Sequence, residues 1–81
     1  MDTAEIVSTL LEQHEMTQSA LAEEMGITRQ ALSNKMTGIR SFTLKDMRAL
    51  AIIFDVSIDY VAGRIDTPQP YPWEKNGKEA E

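Results

Sequence analysis

Apolar residues in the first 65 positions recur at helical spacing, punctuated by glycine, serine and threonine. No stretch alternates apolar and polar residues as a half-buried strand would. Ile6, Val7, Leu10 and Leu11 form one stripe and predict a first helix over about residues 2–13. Asp2 is placed to cap it, with Glu5 three residues on as the return partner. His14, Glu15 and Met16 form a short connector. Thr17 caps a second helix carrying Leu21, Ala22 and Met25, and Gly26 stops it by taking a left-handed backbone at little steric cost. Ile27 follows as a buried plug, and Thr28 caps a third helix with Ala31, Leu32 and Met36 inward. Gly38 ends that helix. After a loop from Ile39 to Phe42, Thr43 and Asp46 open a fourth helix, with Leu44, Met47, Leu50, Ala51 and Phe54 on its inner face. Ser57 caps a short fifth helix containing Ile58 and Val61, closed by Gly63.

The fold class is therefore all-α: a compact five-helix domain over residues 1–65 with short connections. The character of the chain changes at residues 66–81, which hold all three prolines, Trp73 and a run of Glu, Lys, Gly and Asn. That segment reads as a mostly disordered tail. Tyr71, Pro72 and Trp73 give it a possible aromatic anchor for a partner or for the body. At 81 residues without a cysteine, the chain has room for one domain, which neither disulfides nor thiolate-held metals can staple. Asp2 and Glu5 stand where a secretory leader would be basic, and the apolar run from Ala49 to Phe54 is too short for a membrane span. These features predict a soluble cytoplasmic protein without a membrane partner.

Residues 17–36 combine a short amphipathic helix, a glycine turn with an aliphatic residue, and a second short helix with polar residues outward. This is a helix-turn-helix pattern. Ala22 is small enough to let the two helices cross closely, with Leu21, Ile27 and Leu32 beneath the turn. The outward residues of the second helix of the pair are Thr28, Arg29, Gln30, Ser33, Asn34 and Thr37. Arginine donates twice to guanine O6 and N7, and glutamine or asparagine pairs bidentately with adenine N6 and N7. No nucleophile–base set, phosphate-binding glycine loop or metal-ligand spacing is present, so neither catalysis nor a cofactor is expected.

Net charge at first opposes nucleic acid, because eight Lys and Arg face thirteen Asp and Glu. Position changes that picture. Residues 1–27 contain six acids and no Lys or Arg, whereas residues 28–48 contain Arg29, Lys35, Arg40, Lys45 and Arg48 against Asp46 alone. The basic run coincides with the third helix and the loop after it. Charges separated by more than about 8 Å are largely screened at physiological salt, so a local basic face can coexist with remote acids.

Thr17-Gln18, Leu21-Ala22, Gly26-Ile27-Thr28, Leu32, Gly38, Leu50-Ala51 and the run from Val56 to Tyr60 with Gly63 resemble the phage-repressor type helix-turn-helix family, also called the Xre or Cro-repressor type. The resemblance covers about residues 3–63 and implies a lambda-repressor-like, sequence-specific regulator, a repressor, that binds double-stranded DNA as a homodimer. It places Arg29, Gln30, Ser33 and Asn34 at base-reading positions. It places Thr17, Gln18, Thr28, Arg40 and Ser41 at phosphate-contacting positions, and Lys35 is grouped with them for its charge. The dimer patch is expected near the corner of the fourth and fifth helices, at Ile58 with Phe42. Many members pair an arginine of the first helix with a glutamate at the end of the third. Here Leu11 and Met36 stand at those places, predicting an apolar contact. A rival reading is an acidic protein-interaction module, such as an antitoxin or anti-repressor, binding protein through the acidic first 27 residues.

Overall fold

A computed structural model describes residues 2–64, which form five helices: α1 (Thr3–Gln13), α2 (Gln18–Met25), α3 (Arg29–Met36), α4 (Leu44–Phe54) and α5 (Ile58–Val61). No strand occurs among the described residues. Each helix starts where a side-chain oxygen takes over an orphan backbone N–H. Asp2, Thr17, Thr28, Thr43 and Ser57 are the five N-caps, each accepting from the N–H three residues on. Ser57 is fully buried at that task.

The core joins Ile6, Val7, Leu10 and Leu11 of α1 to Leu21 and Ala22 of α2, Leu32 of α3, Leu50 and Phe54 of α4, and Val56 and Val61 around α5. Helix α2 packs on α3 and α4, α1 packs on α3 and α5, and α4 packs on α5. One long-range bond fastens the ends of the domain: the Thr3 hydroxyl donates to the Val61 carbonyl at 3.0 Å. Met16, Met25, Met36 and Met47 all pack against the core, where their flexible thioethers fill irregular space. Leu11 and Met36 belong to that same apolar assembly, in place of an ion pair.

Two details depart from expectation, and a third has no signal in the sequence. Leu44 does not join the inner face of α4; it is 59% exposed. It is the first residue of the helix, and at that end the buried side chain is Asp46, with Phe42 packed against the core. Ile27 is half-buried rather than a fully buried plug, because it sits on the turn corner itself. Finally, α1 and α4 leave through left-handed residues that are not glycine, Glu15 at φ 53° and Asp55 at φ 56°. His14, the residue after α1, is exposed and meets Phe54 edge-on, with ring centroids 5.0 Å apart. The sequence-predicted tail, with Tyr71 and Trp73, lies outside the described residues.

Candidate nucleic-acid interface

The turn between α2 and α3 follows from Gly26. Its φ of 77° is left-handed, and the next amide, of Ile27, reaches back to the Ala22 carbonyl at 3.0 Å. A Cβ at Gly26 would meet nothing within 4 Å, so backbone conformation rather than space calls for glycine there. The turn seats α3 against α2 with Leu32 fully buried, and Leu32 is the one buried residue of α3. Everything else on that helix is half-buried or exposed.

Arg29 and Gln30 occupy the first turn of α3 and are exposed, and they line a shallow concavity with Ser33. Asn34 is half-buried one turn further on, and its side-chain oxygen accepts from the Gln30 amide at 2.9 Å. The expected base-reading residues therefore share one helical face, and two of them are already bonded to each other. Thr17 and Thr28, both exposed, open α2 and α3. Their hydroxyls accept from Ala20 and Ala31 at 3.0 Å and keep a proton to donate outward. Gln18, half-buried, is the first residue of α2.

Gly38, at φ 90°, turns the chain away from α3, and the Arg40 amide then bonds to the Asn34 carbonyl at 3.0 Å. Arg40 and Ser41 are exposed on this loop. Lys35 is placed differently from its basic neighbours. Its ammonium lies 2.7 Å from Asp46 Oδ2 and donates to the Ser41 carbonyl at 3.3 Å, with the side chain only 15% exposed. Burial pushes the Asp46 carboxyl up, but the hydrogen bonds of Lys35 and Thr43 and the Lys35 charge outweigh it and hold the pKa below the ordinary carboxylate value. This pairing has no local sequence signal, since the partners stand eleven positions apart. The four remaining cations of the basic run, Arg29, Arg40, Lys45 and Arg48, are exposed.

Phe42 and Ile58 are both half-buried and flank α4 in the chain. No group of three or more metal-binding side chains occurs among the described residues. No helix among them is long and apolar enough to cross a membrane.

A capped helix, a left-handed glycine turn and a second helix held by one buried leucine, with polar residues outward, define a helix-turn-helix domain. The helix-turn-helix family model matches residues 7–61, and the chain belongs to that family. It is also 35% identical over 66 residues to the uncharacterized HTH-type transcriptional regulator YobD of Bacillus subtilis (strain 168). That match takes in 82% of this chain but only 59% of the relative's length. No solved structure matches the chain.

Proposed function

We propose that this chain is a sequence-specific regulator of transcription, a repressor, that binds double-stranded DNA as a cytoplasmic homodimer. The observation that carries this reading is the outer face of α3, which exposes Arg29 and Gln30 at its first turn while Leu32 is buried behind it and Met36 packs against the core. In a helix-turn-helix, that end of the second helix enters the major groove. Arg29 is suited to guanine, and Gln30 and Asn34 to adenine, with Ser33 beside them. Thr17, Gln18 and Thr28 at two helix N-termini, with Arg40 and Ser41 on the loop, would hold the register on phosphates. Few cations are available, so the salt dependence of binding should be shallower than for proteins with eight or more phosphate contacts. Ile58 and Phe42 are the residues proposed for the contact between copies.

The second reading, an acidic module that binds protein, has its own support. Asp2, Glu5, Glu12, Glu15, Glu23 and Glu24 are all exposed on α1, α2 and their flanks. Selection from a random duplex DNA library separates the two. Enrichment of a palindrome is expected. No enrichment at low salt, together with a co-purifying protein partner, would replace the regulator with the acidic module. On the selected site, Arg29→Ala should weaken binding by about 1–3 kcal/mol and relax preference at one base position. A uniform loss over all sequences would move Arg29 to the phosphate contacts.

A further inference from the structure

We propose that Lys35 and Asp46 form a clasp that presets the α3–α4 loop for DNA, and that Lys35 is a positioning residue which touches no phosphate itself. The inference rests on the DNA-binding reading above and reverses the role its charge suggests in the sequence. Two bonds occupy the Lys35 ammonium, one to Asp46 Oδ2 at 2.7 Å and one to the Ser41 carbonyl at 3.3 Å. The same Oδ2 accepts the Thr43 amide at 2.8 Å. A single carboxylate oxygen therefore takes one bond from α3 and one from the cap of α4. Between them, the Arg40 amide is held by the Asn34 carbonyl at 3.0 Å.

The loop carrying Arg40 and Ser41 is thus fastened at its start, middle and end while both residues stay exposed. The third ammonium N–H remains free, but the two side chains are only 15% and 11% exposed, and swinging Lys35 out to a phosphate would break its charge-assisted bond. That would strand the Asp46 carboxylate without its cation. A loop fixed in advance needs less ordering on binding, which is how a residue remote from the ligand raises affinity.

The test compares Lys35→Met, which keeps length and removes charge, with Arg40→Met on the selected DNA site over a range of salt. Lys35→Met should weaken binding roughly tenfold without changing the slope of log affinity on log salt. Arg40→Met should reduce that slope by about 0.9, the share of one phosphate contact. In the free protein, Lys35→Met should speed hydrogen exchange of the Arg40 and Thr43 amides at least tenfold more than it speeds that of Leu10 and Leu21, whose exchange follows global stability. A slope lowered by about 0.9 in Lys35→Met would make Lys35 a phosphate ligand and overturn the proposal. Unchanged loop exchange would also overturn it. Asp46→Asn, made alongside, should reproduce the loop effect, and Lys35→Met added to it should bring little further change. Strict additivity of the two would show that no clasp exists. If the unmodified protein binds no DNA, the exchange measurements still decide the clasp, and only the DNA-binding reading falls.

Discussion

Helices α1 and α4 open with the same device in two different surroundings. At α1, the Asp2 carboxylate accepts from the Glu5 amide at 2.9 Å and the Glu5 carboxylate accepts from the Asp2 amide at 3.2 Å, both in solvent. At α4, the Thr43 hydroxyl accepts from the Asp46 amide at 3.1 Å and Asp46 returns the bond to the Thr43 amide at 2.8 Å. The local hydrogen bonding is equivalent. What differs is the return carboxylate: Glu5 is exposed, whereas Asp46 is only 8% exposed and holds Lys35. A reciprocal cap in water stabilises one helix end. The same cap under cover, given a cation from another helix, becomes a joint between elements.

The largest effect should come from Asp46→Ala, which removes the cap partner and leaves the Lys35 ammonium covered and unpaired. A loss of about 3 kcal/mol is expected in urea unfolding. A loss no larger than that of the equivalent change in α1 would dissolve the contrast. The second check uses pH. Because the folded-state pKa of Asp46 is lowered, its contribution is complete above the unfolded carboxylate value and is lost as pH falls through the folded one. The stability gap between the unmodified protein and Asp46→Asn should therefore be constant near neutrality and close below about pH 4. A gap that persists in acid would mean that Asp46 acts by shape rather than charge. Thr43→Ala should cost about 1 kcal/mol, the usual worth of an N-cap, with Asp46 still paired to Lys35. Glu5→Ala should be mildest, at about 0.5 kcal/mol by thermal unfolding, because water can replace the lost bond. A cost for Glu5 equal to that for Asp46 would show that burial adds nothing to the device.

The same contrast marks how far the sequence could be read. Helix starts were legible because a cap is settled within four residues, as at Asp2, Thr17, Thr28, Thr43 and Ser57. The turn at Gly26 was legible for the same reason. The exits of α1 and α4 were not, since Glu15 and Asp55 adopt left-handed backbone without the glycine that usually signals it. Leu44 continues the apolar spacing of α4 and yet stands exposed, because periodicity locates a face but not where along the helix the core ends. At the candidate interface, the exposure of Arg29, Gln30, Arg40 and Ser41 follows from helix phase and loop position. The engagement of Lys35 with Asp46 could not be foreseen, because it depends on how α3 and α4 are set against each other.

The bond between the side chains of Gln30 and Asn34 bears on how target sites should be described statistically. On the proposed reading, each of these amides can address a base only while keeping, turning or surrendering its partner. The preferences at the two corresponding positions would then be correlated. A tally that scores every position with its own independent weight would misrank sites that differ at both, and a table of weights for the pair would rank them correctly.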